Sequence, residues 1–401
     1  MKVVHIIYST SGGAGIAAYR LHLGLLNEGV NSTILCVKNK IENAPSVVVV
    51  DKPRFSIFKR LVNKIIPIIT ILKNRKELEL LEGTYEVATF PTSDYRIHEH
   101  SLIKEANIIN LHWIGDFIDY PTFFKKCKKP IVWTLHDMNP FLGCFHYIQD
   151  DESNRHHFKA LNKKIISIKK KSYQKAYIHT IITPSKWLLQ ASKKSELFGC
   201  YSHKHIYNGA DERIFKSYDV DKAREELKLP KNKIIFLFAS LDIGSFRKGF
   251  DIIEGIMKEL AIDTLLFVAI GNPPVNRHKN IHYIGSINNP NKMAQVYAAS
   301  NAFLLPSRED NLPNTMVESL LCGTPVISSN IGGMAEVIIN GENGYLVDEI
   351  TIEAFKEAIL KFIENKNEFN HLEISLKAQK YFSEKVLATN YLNLYKSIVN
   401  E

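Results

Sequence analysis

Acidic, basic and glycine residues gather at a few points of this chain in patterns that could handle a charged substrate. The richest run is Ser307-Arg308-Glu309-Asp310-Asn311-Leu312-Pro313-Asn314-Thr315-Met316-Val317-Glu318. A polar loop there enters a helix at about Pro313, which leaves backbone N–H groups without helical partners beside two acids. Asp310 precedes the helix and Glu318 lies about a turn and a half inside it, so both can line one site. Acids at a helix start also favour its dipole without any further role. A second cluster, Arg247-Lys248-Gly249, follows a strand-like run. A fixed cation pair beside glycine suits a departing diphosphate, and equally a solvated basic turn. His136-Asp137 follows another such run. A histidine there can donate, accept or carry a proton, with Asp137 orienting the ring, or it can be a satisfied structural histidine. Last, Ser9-Thr10-Ser11-Gly12-Gly13-Ala14-Gly15 runs into the helix pattern Ile16–Asn27. Its glycines let backbone approach a ligand at a helix N-terminus, or simply make a tight turn. The spacing is neither the Gly-x-Gly-x-x-Gly of dinucleotide sites nor the P-loop, which disfavours nicotinamide and Walker-type chemistry.

Each of these clusters follows a short β-branched run, and such runs alternate with helix-length amphipathic segments. Strands are expected at Val3–Tyr8, Thr33–Val37, Ile108–Trp113, Ile131–His136 and Thr180–Pro184, then at Ile234–Ser240, Leu265–Gly271, Ile281–Gly285, Ala302–Pro306 and Pro325–Ser329. Runs apolar on both faces and spaced by helices read as parallel strands covered on both sides. The chain is therefore expected to fold as two doubly wound α/β domains, joined near Ile206-Tyr207-Asn208-Gly209-Ala210, where an Asn-Gly turn signal falls. Ligands of open α/β sheets lie outside the carboxyl ends of the strands, so two facing domains would share a cleft there.

Composition narrows the field further. The chain has 401 residues, and its 45% apolar content excludes wholesale disorder. Its 51 basic against 42 acidic residues leave a formal charge of +9, which suits an anionic partner: a phosphorylated substrate, nucleic acid or an anionic membrane face. No nucleic-acid recognition module accompanies that charge, so nucleic acid is not expected as a partner. Cys36, Cys127, Cys144, Cys200 and Cys322 are scattered, without a Cys-x-x-Cys pair. They read as buried thiols in a reducing compartment, with no metal site. The first residues form too short an apolar run for a signal peptide, and the longest apolar stretch, Ile65–Leu72, is too short to span a bilayer. A cytoplasmic protein is expected.

The run from Leu305-Pro306-Ser307 to Gly323-Thr324-Pro325-Val326-Ile327 closely resembles the signature of family 4 retaining glycosyltransferases, enzymes of GT-B architecture that use nucleotide-diphosphate sugars. The resemblance extends to Gly12-Gly13-Ala14, Thr183-Pro184-Ser185-Lys186, Asn208-Gly209-Ala210-Asp211, Lys248-Gly249, and Gly332-Gly333 with Glu336. Leu111-His112-Trp113-Ile114 and Thr134-Leu135-His136-Asp137-Met138-Asn139-Pro140-Phe141 are similar to transferases that build bacterial exopolysaccharide, capsule or O-antigen. The resemblance implies an acceptor-side domain over residues 1–205, a nucleotide-sugar domain over 206–380, and a last helix, 381–401, that crosses back to the first domain. It implies a hexosyltransferase that moves a sugar with retention from a UDP- or GDP-sugar to a glycan or polyprenyl-linked acceptor, with no cofactor and no metal. The catalytic residues would be His136 and Asp310, near the sugar, and Lys248, on the diphosphate. Gly12, Gly13, Arg247, Asn311, Leu312, Pro313, Asn314 and Thr315 would bind the donor with them, and Glu318 would hold the ribose hydroxyls. Two departures stand out: the first acid of the Glu-x7-Glu motif is Asp310, and the family arginine, usually several residues before the lysine, is absent near Ser240-Leu241, where Arg247 is the substitute. A nucleotide-sugar epimerase or phosphorylase of the same architecture, or an inactive sugar-nucleotide-binding scaffold, are the competing readings.

The segment Lys52–Lys76 interleaves Phe55, Phe58, Ile65 and other apolar residues with Arg54, Lys59, Arg60, Lys64, Lys73, Arg75 and Lys76. That composition suits either a core helix with a solvated face or a peripheral attachment to the inner face of the cell membrane. Each basic residue near an anionic surface contributes about 1 kcal/mol. Attachment would therefore need anionic lipid and weaken as salt rises. Vesicle co-sedimentation of the wild type and of a Lys59→Glu, Arg60→Glu, Lys64→Glu variant, at low and high salt, checks this; equal behaviour on neutral and anionic vesicles overturns it.

Overall fold

The computed structural model describes residues 1–51, 76, 78–79, 85–260, 262–274 and 277–401. The basic stretch 52–75 lies outside them. The chain divides into two compact units, Met1–Ile206 with Ala388–Glu401, and Tyr207–Leu387.

The first unit is built on a parallel sheet of seven strands: β1 (Lys2–Ser9), β2 (Asn31–Lys38), β3 (Val47–Val49), β4 (Ile108–Leu111), β5 (Ile131–Thr134), β6 (Ile178–Thr183) and β7 (Ser202–His205), in the order β3-β2-β1-β4-β5-β6-β7. The second holds six: β8 (Ile234–Asp242), β9 (Leu265–Asn272), β10 (Ile281–Gly285), β11 (Ala302–Leu305), β12 (Val326–Ser329) and β13 (Gly344–Val347), in the order β10-β9-β8-β11-β12-β13. Pairing is parallel throughout, from β1 with β2 and β4 to β12 with β13. Central strands are buried on both faces, β4 and β5 at every residue, which is why they read as unbroken apolar runs.

All ten expected runs are strands, but four end early. Trp113, His136, Pro184 and Pro306 lie just past the carboxyl ends of β4, β5, β6 and β11, where a side chain is released from the sheet toward a ligand. Three strands were not expected. β3 and β7 are the two edges of the first sheet and β13 is an edge of the second. Each is only three or four residues long, and β7, Ser-His-Lys-His, has no apolar residue at all.

The chain returns to the first unit at Ala388, inside the helix Glu384–Asn400. Two buried tyrosines of that helix are tied to strand ends of the first sheet. The Asn110 amide donates to the Tyr395 hydroxyl at 2.7 Å, and the Thr134 and Tyr391 hydroxyls lie 2.9 Å apart. The Thr134 hydroxyl also donates to Asn110 Oδ1 at 3.0 Å, so four side chains close one buried network. Tyr395→Phe leaves the Asn110 amide unsatisfied, at a cost of about 1–3 kcal/mol. Urea unfolding followed by circular dichroism should show the midpoint fall by the corresponding amount with an unchanged slope.

Candidate functional site

In the second unit the chemistry-bearing residues gather where β8 and β11 end. A short 3-10 turn, Phe246–Lys248, leads to Gly249 at φ +72°, where a Cβ would stand 2.0 Å from the Pro306 carbonyl oxygen. Only glycine permits that approach, and it lays the Arg247-Lys248 pair against the loop that follows β11. The Arg308 N–H donates to the Arg247 carbonyl at 2.7 Å, and Arg247 Nη1 donates to the Glu309 carbonyl at 2.9 Å. Lys248 Nζ donates to Asp310 Oδ2, and Arg247 Nη1 lies 3.9 Å from the same oxygen. Burial alone would raise the Asp310 pKa, but the two cations, with hydrogen bonds from Lys248 and the Asn311 N–H, hold it below the ordinary carboxylate range. The expected juxtaposition of Arg247, Lys248 and Asp310 is therefore present. Gly332, at φ +56°, closes the other side, since a Cβ there would stand 2.0 Å from the Asp310 carbonyl oxygen. The Gly333 N–H donates to the Asn311 carbonyl at 2.6 Å.

The helix Asn314–Leu321 starts after Pro313, with no side chain capping its first turn. Glu318, on that helix, is buried, and its Oε2 accepts a hydrogen bond from the Tyr297 hydroxyl at 2.9 Å. Tyr297 was not foreseen; it sits in a helix-like apolar run, where a tyrosine reads as core. Arg308 was likewise unassigned. It forms a two-pronged pair with Asp251 at 2.6 and 2.8 Å and covers the Phe246 ring, its guanidinium carbon 3.8 Å from the ring centroid, so it clamps the turn that carries Lys248.

In the first unit, His136 follows β5. Its Nε2 lies 3.0 Å from His112 Nδ1, and His112 Nε2 lies 3.0 Å from His5 Nδ1. Burial depresses the His136 pKa to about 4, with the Asp137 charge opposing. Asp137 turns its oxygens to His146 Nδ1 at 2.6 Å and to the Asn139 N–H at 2.9 Å, so it orients His146. The ring partner of His136 is His112.

Lys169, within the basic run Lys159–Lys175, does not face solvent. It is 1% exposed, on the helix Lys159–Tyr173, and its ammonium donates to the carbonyls of Asn139, Leu142 and Gly143, the last two at 3.1 and 2.7 Å. Desolvation lowers its pKa to about 7, with Cys144 and Asp137 opposing. Its charge is used to gather the loop that follows His136-Asp137.

The glycine loop after β1 separates into two roles. Gly12, at φ +76°, opens the helix Gly12–Asn27, and a Cβ at Gly15 would stand 2.5 Å from the Thr10 carbonyl carbon, so both answer to the fold. A Cβ at Gly13 would meet nothing within 4 Å, so its missing side chain leaves room on the outside. Cys36, Cys127, Cys144 and Cys322 are buried thiols as expected, but Cys200 is exposed. Among the described residues no group of three His, Cys, Asp or Glu side chains is placed to hold a metal ion, and no helix is long and apolar enough to cross a membrane.

Residues 219–380 match the family described as glycosyl transferases group 1. Over 301 residues, 68% of this chain and 71% of the relative, the sequence is 24% identical to 2-deoxystreptamine N-acetyl-D-glucosaminyltransferase of Niallia circulans. Among solved structures, sucrose-phosphate synthase of Thermosynechococcus elongatus superposes over all of both chains at 16% identity with a TM-score of 0.72. Anabaena HepE in complex with UDP-glucose superposes over 99% of this chain and all of its own, at 17% identity and a TM-score of 0.67. With the 7- and 6-stranded parallel sheets, these likenesses establish the GT-B fold over the whole chain. The protein is a glycosyltransferase of that fold, and its second unit carries the glycosyl transferases group 1 domain.

Proposed function

We propose that this glycosyltransferase moves a hexose-type sugar from a UDP- or GDP-sugar to a glycan or lipid-linked glycan acceptor, with retention at the anomeric carbon. The observation that carries the reading is the Lys248–Asp310–Arg247 cluster beside the uncapped start of the helix Asn314–Leu321. Loss of a nucleoside diphosphate leaves negative charge on phosphate oxygens and positive charge on the anomeric carbon. Fixed cations and helix N–H groups stabilise the former without reorganising at the moment of reaction, which is the larger electrostatic contribution. Lys248 and Arg247 serve the diphosphate, and the N–H groups around Leu312, Pro313, Asn314 and Thr315 serve the phosphate or the sugar. In the unliganded protein Asp310 neutralises Lys248, so the cations are held in place without mutual repulsion until the diphosphate arrives. Glu318, oriented by Tyr297, takes the ribose hydroxyls, and Gly12 and Gly13 let backbone close on the phosphates. His136 contacts the sugar. Retention follows from attack on the same face as the leaving phosphate, which accepts the acceptor's proton. The Anabaena HepE complex with UDP-glucose, a protein of the same fold, supports a nucleotide sugar as the donor class.

A shortened acid at Asp310, already engaged by Lys248, also suits an inactive sugar-nucleotide-binding scaffold. Release of free sugar or nucleoside diphosphate from the donor separates the two, because a scaffold binds without turnover. The donor itself is found by thermal shift across a set of UDP- and GDP-sugars, since binding raises the melting temperature by mass action.

Glu318→Ala should weaken binding of that donor about tenfold or more while the protein stays folded, its melting temperature lowered because the Tyr297 hydroxyl loses its acceptor; unchanged affinity removes the ribose assignment. Lys248→Ala should lower kcat roughly a hundredfold, the scale of losing one strong donor to a developing oxyanion. Near-normal turnover in that variant transfers the diphosphate role to Arg247.

A further inference from the structure

His5, His112 and His136 form a continuous hydrogen-bonded row from the middle of β1 to the ends of β4 and β5. Both N···N distances are 3.0 Å, and the ring planes are tilted by only 32° and 26° from one to the next. His5 is fully buried and His112 2% exposed. Desolvation depresses the pKa of both well below the ordinary histidine value and that of His136 to about 4. The charges near the row are few: His22 faces His5, and the Asp137 carboxylate beside His136 is turned to His146 Nδ1 and to the Asn139 N–H. All three rings are therefore neutral at pH 7, with one proton each.

Three protons on such a row have two self-consistent arrangements. In one, His5 Nδ1–H donates to His112 Nε2 and His112 Nδ1–H donates to His136 Nε2, so His136 carries its proton on Nδ1. In the other every proton sits on the opposite nitrogen, His136 Nε2–H donates inward, and His5 Nε2 must carry an N–H. His5 Nε2 is buried and meets no hydrogen-bond partner among the described residues. A buried N–H without an acceptor is rarer and costlier than a lone pair without a donor. The far end of the row therefore selects the first arrangement.

We infer that His112 and His5 are positioning residues that lock His136 in its neutral Nδ1–H tautomer, making its outer nitrogen a hydrogen-bond donor to an oxygen of the donor sugar and not a base. The role toward sugar rests on the function proposed above; the tautomer does not. A neutral donor is compatible with the oxocarbenium-like charge that develops on the anomeric carbon, whereas an imidazolium would oppose it. A general base at His136 would need the lone pair that the row places inside, against His112.

Nitrogen-15 spectra of histidine-labelled, unliganded full-length protein at pH 7 read the tautomer directly, with the His136 signals identified by their loss in His136→Asn. The expected result is a neutral ring protonated on Nδ1; an Nε2-protonated ring or an imidazolium overturns the lock. His112→Phe keeps the ring and removes both nitrogens. In it the His136 proton should redistribute toward Nε2, and kcat/KM for the donor sugar nucleotide should fall about tenfold while the affinity for the free nucleoside diphosphate holds. A His136 that stays fully Nδ1-protonated in this variant overturns the role of His112. If His112→Phe does not fold, His5→Phe moves the buried end of the row to His112 Nε2, where an N–H would again lack an acceptor, so His136 should keep its Nδ1 proton; a shift to Nε2 there counts against the lock. A wild-type Nδ1–H tautomer together with normal kcat/KM in a tautomer-shifted variant would refute the sugar contact while leaving the row's proton order standing.

Discussion

Opposite charges brought to the ends of two neighbouring strands hold the second unit's site together. Lys248 arrives on the turn after β8 and Asp310 on the loop after β11, and neither could be so sheltered without the other. An unpaired buried ion costs several kcal/mol, so the pair dictates how close the two loops must come. That closeness in turn demands Gly249 against Pro306 and Gly332 against Asp310, because a single methyl group at either would strike a carbonyl oxygen. Arg308, bound to Asp251 and stacked on Phe246, then fixes the turn from its exposed side.

The first unit solves the same positioning problem without a net charge on its key ring. Its histidine row is kept neutral by burial, and its acid, Asp137, is turned to His146 and to the Asn139 N–H. One unit thus presents fixed positive charge and the other a neutral, directional polar edge.

Much of this was legible in the residues. The unbroken apolar runs of β4, β5, β8 and β11 announce buried parallel strands, and the residues that follow them are the ones gathered at the strand ends. The Lys248-Gly249 and Gly332-Gly333 pairs stand out because glycine is rarely needed inside a helix or strand. What escaped notice escaped for physical reasons. The edge strands β3, β7 and β13 are only three or four residues long, too short for a pattern to stand out, and β7 carries no apolar residue. Tyr297 and His112 lie inside apolar segments, where a polar ring is read as core. Lys169 looks in sequence like its exposed neighbours Lys170 and Lys171, because helical periodicity alone does not separate a buried cation from a solvated one when lysines occur in a run. Its three carbonyl acceptors come from a loop about thirty residues upstream, which no local pattern reports.

Lys169 also sets the protein's tolerance to change. An ammonium taken out of water to hold three neutral carbonyls lowers the net stability of the native state at neutral pH, since its pKa of about 7 lies far beneath that of a free lysine. That deficit shrinks as pH rises above about 7, where the native state gives up the proton while the unfolded chain still holds it. An apolar replacement of similar length would remove the desolvation cost and, with it, the fastening of the loop behind His136.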